Sequence, residues 1–165
     1  MIEVYVLFHE LKRHWYHRTT SKMRKNPVNH CGVMLKLMNK SLIYYNTGPD
    51  IGCRLTWAER YLKRYPPFTT IHIGKTDLTF DECADLAKEE CKITPWKLVL
   101  WEALKLRWWN PQSCGAFTSN LLRSLGYHVK IHVAPDTLLK ELRNANNYVE
   151  WKGESWKDLV GTRDC

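Results

Sequence analysis

The sequence has no long apolar run. No segment of the 165 residues approaches the roughly 20 consecutive apolar residues that a membrane-spanning helix needs. The opening residues, MIEVYVLFHELKRHW, also lack a basic segment followed by a long apolar one, which is the pattern of a secretion signal. From these two absences we expect no transmembrane segment and a cytoplasmic protein.

Closely spaced cysteine pairs are also missing. The six cysteines include no CxxC pair; they are Cys31, Cys53, Cys83, Cys91, Cys114 and Cys165. Structural zinc sites usually take thiolates from such pairs, and disulfides rarely persist in a cytoplasm. We therefore expect no metal, no other cofactor and no disulfide framework.

Internal repeats, low-complexity runs and linkers are absent as well. Hydrophobic residues make up 44% of the chain, with eight Trp and eight Tyr, which is enough for a substantial core. Apolar and polar segments alternate with both helical and strand periods. The sequence predicts one α+β domain over 1–165, with a small antiparallel sheet packed against helices, a basic insertion at about 9–27 and a C-terminal tail at about 145–165.

The net charge of +8 is concentrated early in the chain. Residues 11–26 contain six cationic side chains and no acidic one: Lys12, Arg13, Arg18, Lys22, Arg24 and Lys25. Such a cluster attracts polyanions, nucleic acid first, and the neighbouring Trp15 and Tyr16 could stack on bases. The alternative is a solvated loop in a basic protein.

Strands and helices are predicted from periodicity and from helix-end residues. Thr79 and Glu82 have the spacing of a capping box, and Pro95 suits a first helical position. The turn MNKS joins two strands as a hairpin. Predicted strands cover 2–8, 30–37, 42–46, 69–74 and 127–133, and predicted helices cover 56–65, 79–92, 94–109, 113–126 and 134–145.

The stretch SCGAFTSNLLRSLGY predicts a helix with a cysteine in its first turn. Ser113 suits the N-cap, and Gly126 suits the left-handed residue that closes a helix. Free N–H groups and the helix dipole favour a thiolate at Cys114, and the same groups, bordered by Ser113 and Gly115, could stabilise an oxyanion. The alternative is a buried structural thiol, because Cys114 shares a helical face with apolar Phe117.

A thiolate nucleophile needs a base, and His30 is the best candidate. It follows a proline-containing loop and begins the predicted strand HCGVML, so that its ring could face a helix N-terminus. The other histidines lie beside the basic insertion or within predicted strands, where surface or structural roles are expected.

The order of these features resembles the circularly permuted NlpC/P60 proteins of the papain-like superfamily. IEVYVLF leads to NHCGVML, and a later CGAFTSNLLRSLGY matches a Cys-x-x-Phe-x-x-x-Leu-Leu-x-x-x-Gly pattern. VKIHVAPDTLLKEL is similar to phage-encoded members, which would place the protein in a host cytoplasm or a virion. The resemblance covers about half of the chain, and a Ser stands at position 113 where relatives commonly have Asn.

The resemblance implies a third polar residue on the strand after the histidine. Tyr44 and Asn46 are the choices, and either could orient the imidazole of His30. Trp109, just before the cysteine helix, could line a substrate groove. The alternative role for Trp109 is nucleic-acid contact.

The favoured function is therefore cysteine-dependent acyl chemistry on a peptide, amide or ester. Cys114 would attack the carbonyl carbon and His30 would move the proton. Hydrolysis as in a peptidase or amidase is the main version, and acyl transfer shares its intermediate. The alternative is a catalytically inactive papain-like module that serves as a viral structural or nucleic-acid-binding protein, with viral proteins or nucleic acid as partners of the basic stretch.

Overall fold

The computed structural model describes residues 1–11, 27–38, 40–46, 53–90, 113–132, 134–145, 148–151 and 155–160. Within these ranges the chain forms six strands and five helices. The strands are β1 (Ile2–His9), β2 (His30–Leu37), β3 (Lys40–Asn46), β4 (Cys53–Trp57), β5 (Thr69–Thr76) and β6 (Val149–Glu150). The helices are α1 (Ala58–Arg64), α2 (Phe80–Glu90), α3 (Cys114–Ser124), α4 (Pro135–Asn144) and α5 (Trp156–Val160).

All six strands belong to one antiparallel sheet, in the order β4-β3-β2-β1-β5-β6. The predicted hairpin is present, since β2 and β3 pair from Leu37 with Lys40 to Gly32 with Tyr45. The α+β class with an antiparallel sheet and packed helices is therefore confirmed for the described residues.

Helices cover both faces of the sheet, which explains why β1 is almost entirely buried. Side chains alternate along a strand, so Val4, Val6 and Phe8 pack with α2, α3 and α4 on one face, which we call the α3 face. Tyr5 and Leu7 pack with α1 and α5 on the other, the α1 face. Each fully buried side chain of this size contributes roughly 1.5–3 kcal/mol.

Helix boundaries follow the capping residues found in the sequence. The Thr79 backbone N–H donates to the Glu82 carboxylate at 2.7 Å, as the capping box predicts. At the end of α3, Gly126 has a φ of +91° and the Tyr127 N–H donates to the Leu122 carbonyl at 3.0 Å, which is a Schellman closure. Across the described ranges, no helix has the length and apolar character needed to span a bilayer.

Three local predictions are corrected by tertiary pairing. Residues 56 and 57 belong to β4, not to a helix, because they pair with β3. Residues 127–132 are not a strand, because helix side chains accept hydrogen bonds from two of their backbone N–H groups. The Lys130 N–H donates to the Glu141 carboxylate at 3.0 Å, and the His132 N–H donates to the Ser119 hydroxyl at 3.2 Å. The tail contributes the short β6, which the sequence did not suggest. The predicted helix 94–109 lies outside the described residues.

Hydrogen bonds stabilise the end of the sheet where β1 ends and β2 begins. His9 pairs with His30 in the ladder, and the Asn29 backbone N–H donates to the His9 carbonyl at 3.1 Å. The Asn29 amide accepts from the Leu11 N–H at 2.8 Å and donates to the Leu11 carbonyl at 2.7 Å. The two chain segments that flank the predicted basic insertion are thereby held together beside His30.

Candidate active site

The N-terminus of α3 is fixed by Ser113. Its hydroxyl accepts a hydrogen bond from the Ala116 N–H at 3.1 Å, which is the interaction expected of an N-cap serine. Ser113 is buried, so this bond is shielded from water. Cys114 is consequently the first residue of the helix, where free N–H groups and the helix dipole favour an anion, and α3 has no acidic residue in its first turn.

Cys114 lies against a second thiol, that of Cys31 on β2. Cys31 is fully buried within the hydrophobic cluster of the α3 face, and Cys114 packs against this cluster while remaining partly exposed. The Cys31 sulfur lies 3.4 Å from the hydroxyl oxygen of Thr118, one helical turn beyond Cys114 on α3. The two cysteines and the threonine therefore form one buried polar contact between β2 and the first turns of α3.

The structure also brings His30 to Cys114. Strand alternation assigns Cys31 to the α3 face and His30 to the α1 face, but both lie at the start of β2, where the N-terminus of α3 meets the end of the sheet. Hydrogen bonds from the Cys31 thiol and from His30, the charge of His30 and the Cys31 N–H lower the pKa of Cys114 well below its usual range, against the opposing effect of burial. This is the environment of a reactive thiolate.

Cys31 has the opposite character. Burial raises the pKa of the Cys31 thiol well above its usual value, and a hydrogen bond to Cys114 and the negative charge there raise it further. Cys31 is therefore the protonated member of the pair, with the Thr118 hydroxyl and the Cys114 sulfur as its hydrogen-bond neighbours. The raised pKa of Cys31 and the lowered pKa of Cys114 together favour a thiolate at Cys114 beside a neutral thiol at Cys31.

His9 adds a second imidazole beside His30. Their ring centroids are 6.1 Å apart, and His9 packs edge-on against Tyr61 at 5.3 Å. Burial lowers the pKa of His9 to about 3, and the charge of His30 lowers it in the same direction. His9 Nδ1 lies 3.4 Å from the Pro66 carbonyl oxygen. Because a carbonyl only accepts, Nδ1 carries the proton and the buried Nε2, which has no hydrogen-bond partner among the described residues, presents a lone pair.

Tyr44 is not brought to His30. It pairs with Val33, three residues from His30 along β2, and packs in the cluster of the α3 face. Its buried hydroxyl makes no hydrogen bond within the described ranges. Burial raises the pKa of Tyr44 to about 12, and the negative charges of Cys83 and of carboxylates on α2 add to the effect. This geometry does not support the prediction that Tyr44 orients the imidazole.

Several predicted site residues lie outside the described part of the chain. The Asn46 backbone ends β3, but its side chain is not described, so its predicted role remains a prediction. The same is true of Trp109 and of the six basic residues Lys12, Arg13, Arg18, Lys22, Arg24 and Lys25.

Gly115 is buried in the first turn of α3. Among the described side chains, no group of three or more His, Cys, Asp or Glu is placed to hold a metal ion.

The structural alternative for Cys114 accounts for the rest of its helix. Phe117 and Leu121 are fully buried, so the predicted apolar face of α3 does pack on the sheet. Cys114 lies at the edge of that apolar face, where its neighbours are His30 and the Cys31 thiol. A purely structural cysteine would not be expected to have its pKa lowered, because burial alone raises it.

The sequence reasoning missed two residues of this site, His9 and Cys31. Each had a signal. His9 has the same parity as Tyr5 and Leu7 on β1, which indicates a buried position, and Cys31 has the parity of Val33 on β2, which indicates the helix-covered face.

Comparison with known proteins adds no relative: no family model, no curated protein and no solved structure matches this chain.

Proposed function

We propose that this protein is a cysteine-dependent hydrolase or acyltransferase that uses Cys114 as its nucleophile and His30 as its proton carrier. The contacts that support this most directly are the hydrogen bonds of Cys114 with Cys31 and His30, which lower the pKa of Cys114 against the opposing effect of burial. Cys114 is also the less buried of the two cysteines, which places it on the side of the contact from which a substrate would approach.

The proposed reaction begins with attack of the Cys114 thiolate on the carbonyl carbon of an amide or ester. A carbon–sulfur bond forms, and the leaving amine or alcohol takes a proton from His30 as its bond to carbon breaks. Neutral His30 then removes a proton from water, or from another acceptor, which attacks the thioester and releases Cys114. Hydrolysis is favoured as the main version, because water is always available as the acceptor.

Backbone N–H groups at the start of α3 are suited to receive the oxyanion of this reaction. The first N–H groups of a helix have no partner within the helix. Ser113 satisfies that of Ala116 through its hydroxyl and that of Phe117 through its carbonyl, at 3.1 and 2.9 Å. The amides of Cys114 and Gly115 are then the ones that would face a tetrahedral intermediate. In this proposal Ser113 shapes the site as a cap and does not contact substrate.

We also propose the permuted papain-like architecture for this chain. Its support is the element order: a strand, a histidine that begins the next strand, a hairpin partner, and later a cysteine that begins a helix packed on that strand. The chain departs from the expected pattern at the third polar residue. The pattern places this residue on the strand after His30, but Tyr44 on that strand does not approach His30, and the neighbour of His30 is His9 on the preceding strand, β1. We infer that His9, held neutral by burial, is a positioning residue for the His30 ring.

The primary experiment is labelling with an activated acyl ester that reports on thiol acylation. The parent protein should be acylated at Cys114 and should turn the ester over, while Cys114→Ala should do neither. Cys83→Ala is the matched control, since Cys83 is another buried cysteine of the α3 face and should leave both readouts unchanged. Equal labelling of the Cys114→Ala variant and the parent protein would contradict the assignment.

The role of His30 is measured separately with His30→Gln. Loss of a general acid–base should lower acyl turnover by about 10² to 10⁴-fold. The pH at which Cys114 becomes acylated should also move upward, because the hydrogen bond and charge of His30 are removed. Exposed His128→Gln serves as the control. Unchanged turnover and an unchanged pH profile in His30→Gln would exclude it as the base.

A second candidate function is polyanion binding through the basic segment, which the net charge of +8 favours. The described residues on either side of this segment, Leu11 and residue 27, lie close to Asn29 and therefore to the candidate site. Titration of a nucleic acid at two salt concentrations tests it. Affinity that falls steeply with salt supports binding through phosphates, and absence of binding at low salt removes this function.

A further inference from the structure

We propose that Cys31 and Cys114 form a two-cysteine redox site that reacts with a hydroperoxide, in which Cys114 is oxidised first and Cys31 resolves it to an intramolecular disulfide. The inference goes beyond acyl chemistry and does not depend on it. It requires only that the two sulfur atoms adjoin and that one of them is accessible.

The side chains of Cys31 and Cys114 are hydrogen-bonded to each other across the β2–α3 contact. Cys114 packs against the cluster that contains Cys31, and Cys31 lies 3.4 Å from Thr118, which is stacked one turn after Cys114 on the same face of α3. Cys114 is partly exposed, whereas Cys31 is completely buried. Cys114 is therefore the residue that a small oxidant meets first, and Cys31 is placed to react with a neighbour inside the protein.

The first step uses the nucleophilic Cys114. Its thiolate attacks one oxygen of hydrogen peroxide, so that a sulfur–oxygen bond forms and the oxygen–oxygen bond breaks. The sulfur loses two electrons and becomes a sulfenic acid, and the peroxide gains them and leaves as hydroxide, which takes a proton to become water.

The second step uses Cys31. Its sulfur attacks the Cys114 sulfur, a sulfur–sulfur bond forms, the sulfur–oxygen bond breaks, and the departing hydroxide takes the Cys31 proton to become a second water. The charge on Cys114 is one of the causes that raise the pKa of Cys31, and oxidation of Cys114 to a neutral sulfenic acid removes it. Cys31 is thus a poor nucleophile in the reduced protein and a better one after Cys114 has been oxidised. A dithiol reductant returns the disulfide to the two thiols by thiol–disulfide exchange and is itself oxidised to a disulfide.

Peptide mapping of the folded parent protein provides the test. After treatment with one equivalent of hydrogen peroxide and blocking of free thiols, trypsin should release Cys31 in peptide 26–36 and Cys114 in peptide 108–123, each with a single cysteine. The expected product is these two peptides joined, with the mass of two hydrogens lost, and separation of the pair by dithiothreitol. Sulfinic or sulfonic acid at Cys114 with no joined peptide, or a disulfide from Cys114 to another cysteine, would overturn the proposal.

Two variants sharpen the result. In Cys31→Ser no resolving thiol is present, so Cys114 should accumulate sulfenic acid that dimedone traps, and a second equivalent of hydrogen peroxide should oxidise it to sulfinic acid. Cys83→Ser should behave as the parent protein does. Acylation of the reduced parent protein by the activated ester is measured in parallel, so that failure of disulfide formation and failure of acyl chemistry are separate outcomes.

Discussion

Helices α2 and α3 pack on the same face of the sheet, and each carries a cysteine within its first four residues. Both helices begin at a hydroxyl cap, Thr79 for α2 and Ser113 for α3. Burial nevertheless raises the pKa of Cys83 to about 11, with the charge of Glu82 as a second cause, while the pKa of Cys114 is held well below its usual range.

The contrast shows that a helix N-terminus does not by itself make a thiol reactive. Cys83 has acidic residues in the first turn of its own helix and hydrocarbon around its sulfur. Cys114 has no acidic residue in the first turn of α3, and β2 supplies it with the Cys31 thiol and His30. The difference therefore comes from the acidic residues of α2 itself and from the side chains that β2 presents to α3. Three measurements test this contrast and the buried histidine beside Cys114, beginning with the largest expected effect.

Alkylation should separate the two thiols most strongly. At pH 7 a thiol with a pKa of about 11 is thiolate in roughly one molecule in 10⁴, and Cys83 is also buried. Iodoacetamide should therefore modify Cys114 at least about 10³-fold faster than Cys83, and the Cys114 rate should reach its plateau at a lower pH than the rate of an ordinary thiol does. Peptide mapping over time measures both rates, with the urea-unfolded protein as the control in which they converge. Similar rates in the folded protein would remove the contrast.

Acid should destabilise the Cys114 end of the sheet through His9. The pKa of folded His9 is lowered to about 3 from 6.5, so between these values the unfolded chain binds the proton and the folded one does not. This contribution is complete above pH 6.5 and is lost as the pH falls toward 3, with an upper limit of roughly 5 kcal/mol at about 1.4 kcal/mol per pKa unit. His9→Phe keeps an aromatic contact with Tyr61 but cannot take up the proton.

Urea unfolding at pH 7 and pH 4 measures this difference. The parent protein should lose several kcal/mol more than His9→Phe between the two pH values, whereas a variant at exposed His128 should track the parent protein. The same acid sensitivity in His9→Phe and in the parent protein would show that His9 is not the group responsible.

Removal of the caps should have the smallest effect and should distinguish stability from reactivity. Ser113→Ala should lower the free energy of unfolding by about 1–2 kcal/mol, because Ser113 is buried, and Thr79→Ala by about 0.5–1 kcal/mol, because Thr79 is exposed. Neither change should move the pH profile of Cys114 alkylation much, since no cause of its pKa involves the cap side chains. A larger loss at Thr79, or a shifted Cys114 profile in Ser113→Ala, would contradict this division.

Local features were the ones that the sequence predicted well. The strand alternation of β1 and β2, the capping box at Thr79, the Ser113 cap and the closure at Gly126 all involve hydrogen bonds or side-chain patterns within a few residues of each other. β4 and β6 were missed, and 127–132 was wrongly predicted as a strand, because a strand exists only where a distant partner pairs with it.

The candidate site divides in the same way. Its proposed nucleophile, its cap and its helix position follow from SCG and the residues after it, since an N-terminal turn is specified by its own side chains. The environment of the thiol was decided by the register of β1 against β2 and by the packing of α3 on β2, which joins Cys31 to Thr118 across 87 residues. Charge, burial and hydrogen bonding at a sulfur atom depend on what lies within a few ångströms of it, and only the folded chain determines those neighbours.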